Sequence, residues 1–215
     1  MAIARPGKIV GIGRNYREHA AELGHVVPKH PLIFLKPSTA VIGDGDTIVL
    51  PPEAARVEHE AEIGVVIGTR IRRVGEAQAL AAVAGVTCVN DVTARDLQRS
   101  DEQWTRAKGF DTFCPIGPRL APLAVVRLGE LEVRCRVNGV ERQRGHARDM
   151  VFAIASLIAF VSQVMTLEPG DLIATGTPAG VGPLTAGDVV EVEIPGVGVL
   201  RNPVVRESWG GQAPP

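Results

Sequence analysis

The sequence predicts a β-rich α+β fold. Short β-type runs dominate the chain, Gly, Pro and Asp turns separate them, and strands and helices do not alternate as a parallel βαβ sheet would require. Asn138-Gly139 lies between two alternating runs and predicts a two-residue hairpin turn. The expected strands are KIVGIG (8–13), PLIFLK (31–36), TIVL (47–50), EIGVVIG (62–68), GVTCVND (85–91), VRCRVNGVERQ (133–143), DLIATG (171–176), DVVEVEI (188–194) and GVLRNPVV (198–205).

Helical stretches are fewer. Residues 15–23 and 75–84 each end before a glycine, which commonly follows the last turn of a helix. Residues 94–103 are polar and fit either a helix or an ordered loop. The apolar stretch 150–164 predicts a helix packed on the sheet, with Asp149 as its N-terminal cap.

Length and composition restrict the function. A chain of 215 residues, 45% hydrophobic and 22% charged, fits one domain over 1–215 in which residues 206–215 form a loose tail. A net charge of −1 provides no basic field for nucleic acid or a membrane surface. No apolar stretch is long enough to span a membrane, and the three cysteines are odd in number and far apart. We therefore expect a cytoplasmic protein.

The most informative run is EHEAE (58–62), which leads into the apolar strand IGVVIG. Alternate residues of a strand point to the same face, so Glu58, Glu60 and Glu62 would form a row of like charges. Burial of such a row is unfavourable unless a divalent cation compensates it. A solvated strand face with exposed glutamates is the alternative, and this run alone does not exclude it.

Asp91 adds an aspartate to the metal hypothesis. It follows the apolar run GVTCVN, so it sits at the end of a strand, where ligands can converge. Two glutamates and one aspartate would leave about three positions of an octahedral ion for water and substrate oxygens. Hard oxygen ligands favour Mg²⁺, or Mn²⁺, over zinc.

Two further segments carry polar groups suited to catalysis or binding. If 15–23 is a helix, His19 and Glu22 lie on one face, where the carboxylate would orient the imidazole as a general base for water. In TGTPAG (175–180), hydroxyl and N–H groups beside a glycine could bind a carboxylate. A solvated helix face and a simple turn are the alternatives. Lysine is scarce, yet Lys36 and Lys108 fall within the segments FLKPS and AKGFDTFCPIGP.

The order of these segments resembles the fumarylacetoacetate hydrolase family. The resemblance covers about residues 8–205 and implies a mixed β-sandwich roll with a few peripheral helices and a homodimer. The short length is similar to that of minimal acylpyruvase-like members. The segments that carry the resemblance are GRNYREHAAEL, PLIFLKPSTAVIG, EHEAEIGVVIG, VNDVTARDLQ, AKGFDTFCPIGP and DLIATGTPAGVGPL.

The resemblance also implies roles for individual residues. The metal ligands are Glu60, Glu62 and Asp91, with Glu58 as a neighbour and alternative ligand. His19 and Glu22 resemble the water-activating pair of the hydrolase and decarboxylase members, and Lys108 the catalytic lysine beside the substrate. Thr177 matches the contact to the substrate carboxylate. Substrate-binding residues are implied at Arg14, Lys36, Arg95, Gln98 and Thr177.

Three functions follow from this resemblance, all on a small 2-oxo or 2-hydroxy-enoic acid. The first is Mg²⁺-dependent hydrolysis or decarboxylation of acylpyruvate- or oxaloacetate-like acids, with a metal-stabilised enolate. The second is isomerisation of 2-hydroxyhepta-2,4-diene-1,7-dioate or 5-carboxymethyl-2-hydroxymuconate in aromatic catabolism. The third is binding of metal and ligand without turnover. We expect the pair formed by His19 and Glu22 to separate the first two, because isomerisation requires no activated water.

Overall fold

The structure, a computed structural model, describes residues 4–22, 24 and 26–208. The strands are β1 (Ile9–Gly13), β2 (Leu32–Lys36), β3 (Val41–Ile42), β4 (Ile48–Leu50), β5 (Val57–His59), β6 (Ala61–Ile67), β7 (Val83–Asn90), β8 (Thr93–Ala94), β9 (Cys114–Pro122), β10 (Glu132–Val137), β11 (Val140–His146), β12 (Leu172–Ala174), β13 (Gly182–Pro183), β14 (Val189–Ile194) and β15 (Gly198–Arg206). The α-helices are α1 (Arg17–Glu22), α2 (Glu76–Ala81), α3 (Arg95–Ser100), α4 (Thr105–Gly109) and α5 (Ile154–Val164).

The strands form three sheets, of which the two larger are mixed and the smallest is antiparallel. The largest has seven strands in the order β2-β1-β12-β6-β7-β9-β3, the second has five in the order β11-β10-β14-β15-β4, and the third consists of β13, β5 and β8. Parallel pairs, such as β1 with β12, occur beside antiparallel ones, such as β6 with β7. The expected mixed β fold with few helices is therefore confirmed.

The main apolar core lies between the seven-stranded and five-stranded sheets. Strands β10 and β14 alternate half-buried and buried residues, as expected for strands with one face on the core. Strand β6 is buried at all seven positions because it lies in the middle of the larger sheet. A charged side chain on β6 is thereby held inside the protein, which matters for Glu62.

The apolar helix begins later than its sequence predicts. Helix α5 starts at Ile154, and the predicted cap Asp149 lies in a short 3-10 turn instead. The residues between them are drawn into pairing with the N-terminal segment: Met150 forms a β-bridge with Tyr16, and Val151 N–H donates to Asn15 O at 2.7 Å. Tertiary pairing thus overrides the helical preference of the first predicted turn.

Other local predictions had mixed outcomes. The Asn138-Gly139 turn is confirmed, since it joins β10 to β11 with φ values of 53° and 77°. Strand β9 and helix α4 were missed, and the prolines of CPIGPRLAP conceal β9. Strand β15 extends to Arg206, and the rest of the predicted tail from 209 onward lies outside the described residues. Among the described residues, no helix has the length and hydropathy needed to cross a membrane.

Candidate metal and substrate site

A cavity of about 420 Å³ brings together most of the residues that the sequence singled out. It lies where the ends of β1, β6 and β7 meet helices α1, α3 and α4. Lys36 and Glu58 are the exceptions, since neither lines this cavity. The predicted residues that line it are Arg14, His19, Glu22, Glu60, Glu62, Asp91, Arg95, Gln98, Lys108 and Thr177.

Three buried carboxylates converge at the base of the cavity. Glu60 precedes β6, Glu62 lies within it, and Asp91 follows β7. The β6–β7 ladder places Ala61 opposite Asn90, so that Asp91 N–H donates to Glu60 O at 2.8 Å. One oxygen of each carboxylate lies within 4.8 Å of the others. The backbone pairing therefore builds a cluster that could hold a metal ion.

Two of these carboxylates already have cationic partners. Lys108 Nζ donates to Glu60 Oε2 at 2.8 Å and also to Asp91. Arg95 donates to Glu60 Oε1 at 2.5 Å, and Lys36 donates to Asp91 Oδ1 at 2.6 Å. Burial opposes ionisation, but Lys108 and then Arg95 hold the pKa of Glu60 well below its ordinary value. Burial likewise opposes the ammonium of Lys108, yet Asp91 and Glu60 raise its pKa.

Glu62 has a different environment. Its Oε2 accepts the N–H of Gly176 at 2.8 Å, and no salt bridge to it occurs among the described residues. Burial, then the charges of Asp91 and Glu60, raises the pKa of Glu62 well above its ordinary value. A divalent cation would relieve this repulsion, and three hard oxygen donors suit one. The residues present therefore fit such an ion.

The buried charges of the region support the same conclusion. Among the described residues, three buried cations and the more exposed Arg56 pair with three of the four buried carboxylates, whereas the fourth, Glu62, has no ion-pair partner. A divalent ion at the cluster would add positive charge to the cavity, which suits an anionic substrate. The carboxylates are Glu58, Glu60, Glu62 and Asp91, and the cations are Lys36, Arg95 and Lys108.

Glu58 lies outside the carboxylate cluster. The predicted row of three glutamates does not form, because the chain changes sheets at Glu60 and β5 pairs with β8 and β13 instead. Glu58 accepts hydrogen bonds from Arg95 Nε at 2.7 Å and Arg56 Nε at 2.5 Å. Despite burial, Arg95 in particular lowers the pKa of Glu58. Its charge is thus compensated by arginines.

The histidine and glutamate of α1 lie together beside the cluster. His19 Nδ1 is 3.3 Å from Glu22 Oε2, and His19 is only 5% exposed. Glu22 also accepts the N–H of Gly180 at 3.1 Å, which ties α1 to the turn after β12. Both side chains line the cavity. The arrangement can therefore present an oriented imidazole to a molecule held at the carboxylates.

The remaining residues predicted to bind substrate have other partners in the structure. Lys36 donates to Asp91 from the side away from the cavity. Arg95 donates to Glu58 and Glu60, and also to Gln98 Oε1 at 2.5 Å. Thr177 Oγ1 donates to Ala61 O at 2.9 Å, so its hydroxyl hydrogen is already engaged. Arg14 lines the cavity together with the carboxylates.

An aromatic wall on one side of the cavity was missed in the sequence. Phe34 and Trp104 meet edge to face with ring centroids 5.4 Å apart, and Lys108 Nζ lies 4.9 Å from the Phe34 centroid. Arg99 lines the same cavity. These two aromatic residues could have been predicted from the sequence, because Phe34 lies close to Lys36 and Trp104 close to Lys108. The wall offers an apolar surface for a carbon skeleton.

The fold and the site define a class of β-rich enzymes that act on a small molecule beside a buried carboxylate cluster. The model of the fumarylacetoacetate (FAA) hydrolase C-terminal domain matches residues 8–205. The chain belongs to the fumarylacetoacetate hydrolase family, whose members include hydrolases, isomerases and tautomerases.

Relatives and solved structures agree with this assignment. The mitochondrial oxaloacetate tautomerase FAHD2A of Bos taurus is 46% identical over 213 residues, covering 94% of this chain and 68% of the relative. A 5-carboxymethyl-2-hydroxymuconate delta-isomerase from Mycobacterium smegmatis has a TM-score of 0.88 at 47% identity, covering 95% of this chain and 80% of that one. A 2-hydroxyhepta-2,4-diene-1,7-dioate isomerase from Mycobacterium marinum has a TM-score of 0.87 at 46% identity, covering 95% and 76%.

Proposed function

We propose that the protein is a divalent-metal-dependent enzyme, with Mg²⁺ as the natural ion, that moves a proton within a small 2-oxo dicarboxylic acid. The reaction is a keto–enol tautomerisation or a related double-bond isomerisation. The observation that carries the proposal is the carboxylate of Glu62, buried without a cationic partner among the described residues and facing the cavity that His19 lines.

The chemistry requires stabilisation of an enolate and a group that carries the proton. Glu60, Glu62 and Asp91 would hold the ion, whose positive charge would stabilise the negative charge of an enolate. Lys108 presents an ammonium group beside the same position and stabilises negative charge there. His19, oriented by Glu22, accepts the proton from one atom and returns it to another.

The cavity also suits the second carboxylate of such a substrate. Arg14 and Arg99 line it together with the aromatic pair Phe34 and Trp104. An extended dicarboxylate would place its carbon skeleton along the aromatic wall and its distal charge near a guanidinium. The tautomerase and isomerase names of the relatives support this reading, since both describe rearrangements of unsaturated or 2-oxo acids.

Hydrolysis or decarboxylation is the second candidate. It is favoured by one observation: the imidazole of His19 is held by Glu22 at 3.3 Å, as activation of water would require. Isomerisation requires no activated water, but it does require a proton carrier, and the same pair can move a substrate proton. The presence of the pair alone therefore does not separate the two functions, contrary to the prediction from the sequence. Acylpyruvates and oxaloacetate are the substrates to compare.

Proton exchange in D₂O tests the proposal. Oxaloacetate and a 2-hydroxy-diene-dioate are followed by proton NMR with protein and Mg²⁺, against Mg²⁺ alone. We expect faster exchange at C3 and faster approach to keto–enol equilibrium, without pyruvate above the Mg²⁺ background. Release of pyruvate from an acylpyruvate or from oxaloacetate would show instead that the protein is a hydrolase or a decarboxylase. If the protein bound oxalate but turned over none of these acids, it would be a binding protein and not an enzyme.

Assembly and location belong to the same proposal. The family resemblance implies a homodimer, and the odd number and wide spacing of the cysteines suit the cytoplasm. Leu32 and Leu35 are exposed on β2, at the edge of the seven-stranded sheet. Light scattering coupled to gel filtration should give twice the chain mass of 22.8 kDa. A mass of one chain at micromolar concentration would contradict the dimer.

A further inference from the structure

We propose that Gln143 is a positioning residue that fixes the two peptide groups between Glu60 and Glu62. Gln143 lies on β11, in the five-stranded sheet, and is 1% exposed. It does not line the cavity, and its side-chain hydrogen bonds go to His59, Ala61, Thr177 and Pro178 instead of to the three clustered carboxylates. Any influence on the metal site must therefore pass through other residues.

The amide of Gln143 is bonded at both ends. Its Nε2 donates to Thr177 Oγ1 and to Pro178 O, each at 2.7 Å. Its Oε1 accepts the N–H of Ala61 at 3.0 Å and the Nδ1–H of His59 at 2.9 Å. Because a carbonyl only accepts and a backbone N–H only donates, the amide has one satisfactory orientation.

These bonds act on the peptide planes that flank Ala61. The N–H of Ala61 belongs to the plane shared with Glu60, and Gln143 holds it directly. The C=O of Ala61 belongs to the plane shared with Glu62, and Thr177 Oγ1 holds it at 2.9 Å. Gln143 in turn holds Thr177, so one buried amide restrains both planes. The directions in which the two glutamates leave the backbone follow from these planes.

A bulge explains why a polar residue of β11 faces inward here. The β10–β11 ladder pairs Cys135 with Gln143 but Arg136 with Glu141, which leaves Arg142 unmatched. The turn after Thr177 packs directly on this bulge: a Cβ at Gly180, where φ is 96°, would lie 2.1 Å from Arg142 O. The bulge, the glycine and the amide together form one contact between the five-stranded sheet and the site.

The inference rests on the proposed metal site, but not on the proposed reaction. Removal of a hydrogen-bonding partner that orients metal ligands typically weakens metal binding about 10–100-fold. We therefore expect Gln143→Met, which keeps the length of the side chain and loses its hydrogen bonds, to weaken Mn²⁺ binding by that factor. Electron paramagnetic resonance of free Mn²⁺ measures this on the full chain without any substrate.

Asn202 provides a matched control. It is also 1% exposed, and its Nδ2 donates to the carbonyls of Gly43 and Asp46, each at 2.8 Å, away from the cavity. Asn202→Leu should lower the melting temperature as Gln143→Met does, yet keep Mn²⁺ affinity within about twofold, because distant sites act independently. Unchanged Mn²⁺ affinity in folded Gln143→Met, or an equal loss in Asn202→Leu, would overturn the inference.

A second pair of variants covers the case in which Gln143→Met does not fold. Thr177→Ser keeps the hydroxyl that links Gln143 to Ala61, whereas Thr177→Val removes it. We expect Thr177→Val to bind Mn²⁺ about 10–100-fold more weakly and Thr177→Ser to restore most of the affinity. Equal affinities would overturn the inference. Failure of the wild-type protein to turn over 2-oxo acids would overturn the proposed reaction alone.

Discussion

Glu62 accepts the backbone N–H of Gly176 at 2.8 Å, and this contact requires glycine at position 176. The φ of Gly176 is 100°, and a Cβ there would lie 2.7 Å from the Cβ of Asn15. The strand end that carries Thr177 is thereby brought against the carboxylate cluster. A single N–H does not compensate a buried carboxylate charge, so Glu62 is where a cation should have its largest effect on stability.

Glu62→Gln should raise the melting temperature of the metal-free protein. The amide oxygen can still accept from Gly176, while the repulsion by Asp91 and Glu60 is removed. A gain of about 1 kcal/mol corresponds to about 2–4 °C for a domain of this size. Addition of Mg²⁺ should then stabilise the wild type but not the variant. Thermal unfolding with EDTA and with Mg²⁺ measures both effects, and a lower melting temperature of metal-free Glu62→Gln would contradict the electrostatic argument.

The difference in melting temperature between the metal-free wild type and Glu62→Gln should depend on pH. Because the pKa of Glu62 is raised in the folded protein, the fold favours the protonated carboxyl, and this contribution is complete below the ordinary value of 4.5. It is lost as the pH rises toward the raised pKa. The advantage of Glu62→Gln in EDTA should therefore be small near pH 4.5 and grow toward neutral pH. A difference independent of pH would argue against an ionised Glu62.

His19→Ala should lower kcat by about 10²–10⁴-fold, the usual contribution of a positioned acid–base group. Glu22→Gln should lower kcat less, because it weakens the contact of 3.3 Å that orients the imidazole of His19 but leaves the imidazole in place. Mg²⁺ affinity should stay unchanged in both, because neither residue belongs to the carboxylate cluster. Steady-state kinetics and calorimetry give the two readouts. If both variants turned over oxaloacetate, acetylpyruvate and a diene-dioate at the wild-type rate, the pair would have no role in the mechanism.

Lys36→Met should act on stability and metal binding instead of on substrate affinity. Lys36 Nζ lies 2.6 Å from Asp91 Oδ1 behind the cavity, and its removal leaves a buried carboxylate without this partner. Loss of one member of a buried ion pair typically costs about 3–5 kcal/mol. Mg²⁺ should recover part of this loss, so its stabilising effect should exceed that in the wild type. A change confined to KM would instead indicate a direct substrate contact.

Sequence alone predicted much of the fold and the principal site. Period-two patterning and turn residues located nine strand regions and the Asn138-Gly139 turn. The acidic run and Asp91 lie in segments whose pairing partner is the next strand, so local order in the chain carries over to proximity in space. This is why the residues alone could predict a carboxylate cluster, whereas the choice of Glu60 and Glu62 over Glu58 came from the family resemblance.

Long-range pairing set the features that the sequence did not predict. The row of glutamates ends at Glu60 because β5 finds its partners in a different sheet, which no local pattern specifies. Gln143 stands in an alternating strand as an ordinary polar residue, and only the bulge at Arg142 directs it inward. The helix predicted from residue 150 begins at Ile154 because the segment before it pairs with the N-terminal strand region.

Anomalous diffraction from crystals grown with Mn²⁺ and oxalate, a mimic of a 2-oxo acid enolate, tests the central claim most directly. We predict one strong Mn²⁺ peak per chain between the carboxylates of Glu60, Glu62 and Asp91, with oxalate beside it in the cavity that His19 and Lys108 line. A Mn²⁺ peak elsewhere in the chain, or oxalate bound in the cavity with no Mn²⁺ between these carboxylates, would contradict a metal-dependent enolate enzyme.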